Sequence, residues 1–161
     1  MAVPDNDQGS PGTPAPIPAG TWLSFDFGLK RIGVASGQTA TGTAGPLDVV
    51  AHGPQQPDWD HIRSLLKEWR PVGLVVGLPL GKDGEDTPLS KRARAFGRRL
   101  AQESGISVLF QDERLTSWAV DEEFSIQRAA GSARRKDAAR LDAKAAAIIL
   151  QNWLQSSHHE P

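Results

Sequence analysis

The chain of 161 residues contains no cysteine and no long apolar run. The absence of cysteine excludes disulfide bonds, thiolate catalysis and zinc sites built on cysteine. The most apolar stretch, Ala145 to Leu150, is far too short to cross a bilayer, so the sequence predicts no membrane-spanning helix. The N-terminal segment lacks the basic start and apolar core of a secretion signal. We therefore expect a cytoplasmic protein without a membrane partner.

Excess charge of either sign is also missing, because the formal net charge is -1. The chain as a whole is therefore not attracted to nucleic acid, but two local stretches are basic. One runs from Lys91 to Arg99, and the other contains Arg128, Arg134, Arg135, Lys136 and Arg140. Such patches can bind phosphates on a neutral protein, although a solvated helix face explains them equally well.

Three segments are expected along the chain. Residues 1–20 are rich in proline, glycine and small polar residues and show no periodicity, which predicts a disordered arm. Residues 21–155 form one domain, of a size that can bury its own core. Residues 156–161 form a flexible tail.

Apolar periodicity within the domain predicts three strands followed by alternating helices and strands. The strands are TWLSFDF, RIGVASG, LDVVA, VGLVVGLPL and ISVLFQ, and the helices lie within PDWDHIRSLLKEWRP, after Thr87, near Thr116 or Ser117, and from Ala138 to Leu154. A tight turn from Gly28 to Lys30 joins the first two strands as a hairpin. This order predicts an α/β protein in which a mixed five-stranded sheet, with a three-strand meander, is flanked by helices.

Three carboxylates occupy unusual places. Asp26 lies at the end of an apolar strand, where aspartate is uncommon, although it could cap the turn. Glu113 directly follows another strand, at the end where α/β sheets bind ligands, although Arg114 could simply neutralise it. Asp142 lies at the edge of an apolar helical stripe, although an acid in a first turn would also favour the helix dipole.

Taken together, these acids predict a metal site. With no histidine or cysteine nearby, the cluster suits hard ions such as Mg²⁺ or Mn²⁺. Two such ions can activate water and stabilise the leaving oxygen of a phosphodiester. The basic patches would then position the nucleic-acid backbone.

Four blocks of the sequence resemble the YqgF/RuvX family of pre-16S ribosomal RNA nucleases, which are relatives of the RuvC Holliday-junction resolvases. The blocks are DFGLKRIGVASGQ, VVGLPLGKDGEDTP, QDERLTS and LDAKAAAIIL. The resemblance implies a ribonuclease H-like fold in which the strand bearing Asp26 lies next to the strand preceding Glu113. It also implies that Asp26, Glu113 and Asp142 are catalytic and bind the metal. The implied role is processing of the 5′ end of pre-16S rRNA, and so ribosome biogenesis.

One difference from RuvC-type enzymes concerns the last helix. RuvC-type enzymes are similar in having a fourth acidic residue on this helix, close after the third. In this chain the stretch after Asp142 is AKAAAIIL, which contains a lysine and no acid. Water or a substrate phosphate would have to complete a two-metal site. Candidate contacts to nucleic acid are Lys30, Arg31, Arg114, Arg134, Arg135 and Lys136, and the protein would act as a monomer or homodimer.

Three other functions fit parts of the sequence. A Holliday-junction or other DNA nuclease would use the same chemistry on structured DNA. A non-catalytic nucleic-acid or ribosome-binding module could share the fold, but it would have no use for three acids facing phosphate. The Asp26-Phe27-Gly28 turn also resembles the first phosphate loop of actin-like kinases, but those proteins need two such domains.

Overall fold

A computed structural model describes residues 17–113 and 135–156, with side chains of the last helix described from Arg140 onward. Within these ranges there are five strands and three helices: β1 Thr21–Asp26, β2 Arg31–Gln38, β3 Thr43–Ala51, α1 Trp59–Trp69, β4 Gly73–Leu78, α2 Pro88–Ser104, β5 Val108–Asp112 and α3 Arg135–Ser156. None of the helices in this part of the chain is both long and apolar enough to span a membrane.

The strands form one sheet in the order β3-β2-β1-β4-β5. The first three strands are antiparallel, whereas β4 pairs in parallel with both β1 and β5. The predicted mixed five-stranded sheet with a leading meander is therefore confirmed. The expectation that the strand bearing Asp26 adjoins the strand preceding Glu113 is wrong, because β4 lies between them.

The two faces of the sheet are covered by different helices. Alternation along β1 directs Leu23 and Phe25 into a core that includes Ile62 of α1 and Phe96 of α2. The other face packs against α3, where the Ser24 hydroxyl donates to the carbonyl of Ala146 over 2.7 Å. On this second face, Trp22 of β1 also contacts Trp153 of α3, with ring centroids 4.4 Å apart.

Local sequence signals define the helix ends on the first face. The Asp58 side chain accepts a hydrogen bond from the amide of His61 and so caps α1. Thr87 and Ser90 form a reciprocal capping box at the start of α2, as their spacing predicts. The two helices are tied together by Glu103 of α2, which accepts from Arg63 at 2.8 Å and from Arg99 at 2.9 Å.

Two predicted boundaries are wrong. Strand β3 starts at Thr43 instead of Leu47, and it includes Pro46, which an edge strand accommodates because its outer side makes no ladder. Helix α3 starts at or before Arg135, ahead of the predicted Ala138. The helix predicted near Thr116 or Ser117 lies outside the described residues. The predicted arm, tail and domain limits remain predictions.

Candidate metal centre

Asp26 lies at the carboxyl end of β1, on the face covered by α3. It pairs with Gly33 of β2, and it alternates with Phe25, whose side chain enters the opposite core. The residue is half-buried, and desolvation of its carboxyl group is the largest cause that raises the pKa of Asp26 well above 3.8. An acid in this environment is harder to ionise than one in water unless a cation approaches.

Glu113 is the immediate neighbour of the Asp26 carboxyl. The two side chains share a hydrogen bond, and the negative charge of Glu113 further raises the pKa of Asp26. Desolvation is also the main cause that raises the pKa of Glu113, while its bond to Asp26 acts in the opposite direction. Two carboxyl groups in contact in a desolvated site cannot both ionise easily, so without a cation their contact favours sharing a proton.

A glycine explains how these two acids meet across the intervening strand. Glu113 follows β5, two strands away from β1, and neighbouring strands are about 4.8 Å apart. Its side chain passes over Gly77 of β4, where a Cβ atom would lie 2.7 Å from Glu113 Oε2. Only a residue without a side chain leaves this path open, so Gly77 is part of the site although it provides no ligand.

Asp142 approaches the same edge from α3. The backbone of α3 at Asp142 lies directly against Gly33, in contact with the position where a Cβ atom would stand. The negative charge of Asp142 contributes to the raised pKa of Asp26. Because α3 starts at or before Arg135, Asp142 is not in a first turn, and a favourable interaction with the helix dipole does not explain it.

Arg31 forms an ion pair with Asp142. Its Nε donates to Asp142 Oδ2 over 2.6 Å, and the two side chains are 33% and 31% exposed. The pair joins β2 to α3 across 111 positions of the sequence. Arg31 was predicted to contact phosphates, and in the structure its charge is already shared with one of the three acids.

The donor set consists entirely of carboxylate oxygens, which suits Mg²⁺ or Mn²⁺ better than softer metals. Asp26 and Glu113 fit a divalent cation, because such an ion can replace the proton between them and relieve their repulsion. In the described ranges, no three His, Cys, Asp or Glu side chains are arranged to hold one ion. This agrees with the direction of Asp142 toward Arg31.

Of the other predicted site residues, Lys30 alone has a side chain within the described residues. Lys30 is exposed in the turn between β1 and β2, and its carbonyl accepts a hydrogen bond from the amide of His52. Arg114 and Arg134 lie outside the described residues, as do the side chains of Arg135 and Lys136. Sequence reasoning missed Gly33 and Gly77, although the glycine inside the apolar run VGLVVGLPL was a signal of close approach.

Comparison with known proteins identifies the family. The family model for RuvX, described as a Holliday junction resolvase, matches residues 20–156. The chain belongs to the RuvX family. The family resemblance of its four sequence blocks is thereby confirmed.

Relatives of this RuvX chain and a solved structure extend the comparison. A protein of Xanthomonas oryzae pv. oryzae (strain PXO99A), named "Putative pre-16S rRNA nuclease", is 44% identical over 89% of this chain and 93% of its own length. A protein of the same name from Xanthomonas euvesicatoria pv. vesicatoria (strain 85-10) is 45% identical over 85% and 88%. RuvC of T. thermophilus bound to a Holliday junction matches with a TM-score of 0.51 and 20% identity, over 84% of this chain and 94% of that one. This structural likeness supports the ribonuclease H-like fold.

Proposed function

We propose that this RuvX protein is a cytoplasmic, divalent-metal-dependent nuclease that hydrolyses phosphodiester bonds in RNA, with pre-16S rRNA as its substrate. The observation that carries the proposal is the desolvated contact between Asp26 and Glu113. A fold without catalytic use for this pair would gain stability by replacing either acid. Family membership and the names of the two Xanthomonas relatives support the substrate.

Asp26 and Glu113 would hold the cation, Mg²⁺ or Mn²⁺, and Asp142 would complete the acidic edge. When bound, such an ion supplies an activated water and compensates the charge that develops on the phosphate. Asp26, at the end of β1, would provide one carboxylate ligand. Glu113 closes the site from the far side of β4.

Arg31 has a second role in this scheme. Its guanidinium holds the Asp142 carboxylate in place and stands at the edge of the site, where a substrate phosphate would arrive. Lys30 next to it is exposed and adds positive charge. We further propose that Arg114, Arg134, Arg135 and Lys136 contact phosphates of the same substrate.

Structured DNA is the second candidate substrate. The description of the family model as a Holliday junction resolvase favours it. Its phosphodiester chemistry would use the same carboxylates, and the two substrates differ in the 2′-hydroxyl and in shape. A direct comparison of substrates separates them.

The test is cleavage of matched single-stranded RNA, pre-16S rRNA leader, DNA duplex and four-way junction with Mg²⁺ or Mn²⁺. We expect cleavage of the rRNA leader, which Asp26→Asn, Glu113→Gln and Asp142→Asn each reduce by at least about a hundredfold. Glu68→Gln, which changes an exposed acid of α1, is the control and should retain activity. Unchanged cleavage by all three site variants would refute the proposal, and cleavage of the junction alone would transfer it to DNA.

A further inference from the structure

A cavity of about 420 Å³ opens on the opposite side of the sheet from the carboxylates. Its floor is aromatic, because Phe27, Trp59 and Phe96 line it. Phe27 and Trp59 both pack on Phe96, and each of the three residues is only 4 to 6% exposed, so the cavity meets a small part of each ring. Its walls are polar and include Gln55, Gln56 and two arginines, and no acidic side chain lines it. This combination of small aromatic surfaces, amides and guanidinium groups can contact both the base and the phosphate of a nucleotide.

The arginines in the wall provide positive charge. Arg92 is exposed on α2 and makes no ion pair with a described residue. Arg99 is held by Glu103 and lies over Trp59, with its Cζ atom 4.7 Å from the ring centroid. Glu103 also pairs with Arg63, which has a second acidic partner in Asp60, so the charge in the wall that no described acid balances is that of Arg92. A guanidinium held in place like that of Arg99 is suited to bind a phosphate.

The cavity begins at the same sheet edge as the candidate metal centre. Phe27 in its floor directly follows Asp26, and the ring of His52 in its wall stands edge-on to Phe27 at 5.4 Å. The amide of His52 donates to the carbonyl of Lys30 over 3.0 Å. The turn that contains the exposed Lys30 therefore contacts the wall of the cavity. A single nucleic-acid strand that crosses this edge of the sheet would reach both the acids and the cavity.

We propose that this cavity binds one nucleotide of a single-stranded segment of the substrate, outside the bond that is cleaved. The phosphate of that nucleotide contacts Arg92 and Arg99. Its base lies against the aromatic floor and bonds to Gln55 or Gln56. The site would explain how a chain without net positive charge binds nucleic acid. It would also give a function to Arg92 and Arg99 of the basic stretch from Lys91 to Arg99. The inference rests on the proposed function only in its choice of ligand.

The test measures binding of a short fluorescein-labelled oligouridylate to the full chain in EDTA, where no cleavage occurs. Arg92→Gln removes a wall charge, and Ala95→Phe fills the cavity from an exposed position without changing charge. Arg98→Gln is the matched control, since Arg98 is exposed on the same helix but does not line the cavity. Thermal unfolding of each variant verifies that it is folded.

We expect Arg92→Gln and Ala95→Phe each to weaken binding by about tenfold, the loss of one charge-assisted bond or of the base contacts in the cavity, with Arg98→Gln within about twofold of the parent. Equal losses for Arg92→Gln and Arg98→Gln would overturn the proposal, since they would indicate general attraction. Parental binding by Ala95→Phe, or no binding by the parent, would also overturn it.

A second readout locates the base. Oligonucleotides containing 4-thiouridine, irradiated with the protein and analysed by mass spectrometry, should cross-link to the segment containing Gln55 and Gln56. Cross-links confined to other segments would overturn the proposal. Binding with these properties in a protein that cleaves nothing would refute the nuclease assignment and leave the nucleotide site intact.

Discussion

The carboxyl group of Asp26 lies in an environment that disfavours its own charge. Desolvation is the largest cause that raises the pKa of Asp26, followed by Glu113 and then by Asp142. Active sites commonly contain such groups, because the geometry that serves chemistry is seldom the most stable one. The environment that favours binding of a divalent cation therefore lowers the stability of the metal-free protein.

Replacing this acid should therefore stabilise the metal-free protein. The unfolded carboxyl ionises near pH 3.8 and the folded one only at higher pH, so stability falls as pH rises through that window and remains reduced above it. In EDTA at neutral pH, Asp26→Asn should raise the free energy of unfolding by about 1 to 2 kcal/mol. Urea titration measures it, with Glu68→Gln as the control. A less stable Asp26→Asn protein would contradict this account.

At the scale of elements, glycines set how closely strands and helix approach. Gly33 of β2 lies against the backbone of α3 at Asp142, and Gly77 of β4 leaves space for Glu113. Both sites depend on the missing Cβ atom rather than on a positive φ angle. The positions of Asp142 and Glu113 near Asp26 therefore depend on these two glycines.

Gly33→Ala should push α3 away from the sheet. The added methyl group would overlap the backbone of Asp142, which cannot move as a side chain could, so we expect a loss of about 1 to 3 kcal/mol or more in unfolding free energy. Gly45→Ala in β3 is the matched control, because a Cβ atom there has no neighbour within 4 Å. Equal stability of the two variants in urea would show that the helix does not approach so closely.

The tie between α1 and α2 should weaken in acid. Hydrogen bonds from Arg63, then from Arg99, lower the pKa of Glu103 from 4.5 to about 2. A depressed carboxyl pKa stabilises the fold above the unfolded value, and this contribution is lost as pH falls from 4.5 to about 2. Melting temperatures recorded across this range should fall less steeply for Glu103→Gln than for the parent. Parallel curves would exclude the contribution.

At the scale of the whole molecule, cation binding should appear as stability. An ion that binds only the folded state at about a hundred times its Kd adds about 2.7 kcal/mol. For a domain of this size that corresponds to a rise in Tm of roughly 5 to 10 °C. Differential scanning calorimetry with Mg²⁺ or Mn²⁺ measures the rise, which Glu113→Gln should abolish. A rise of the same size in Glu113→Gln would place the ion elsewhere.

Local patterns in the sequence predict the elements but not all of their neighbours. The capping box at Thr87 and the hairpin after Asp26 depend on residues close in sequence, and both were predictable. The insertion of β4 between β1 and β5 and the pairing of Arg31 with Asp142 depend on distant contacts, which periodicity does not encode. The metal site was predicted from the unusual places of the three acids and also from the family resemblance, and their catalytic roles remain a prediction.

The contact between the tilted indole rings of Trp22 and Trp153 should make the packing of α3 measurable by spectroscopy. Rings with centroids 4.4 Å apart and planes tilted by 36° exchange excitation and produce a paired signal in circular dichroism. Because one ring belongs to β1 and the other to α3, the signal exists only while the helix rests on the sheet. The helix that brings Asp142 to the sheet edge thus contains its own spectroscopic reporter, which needs no label.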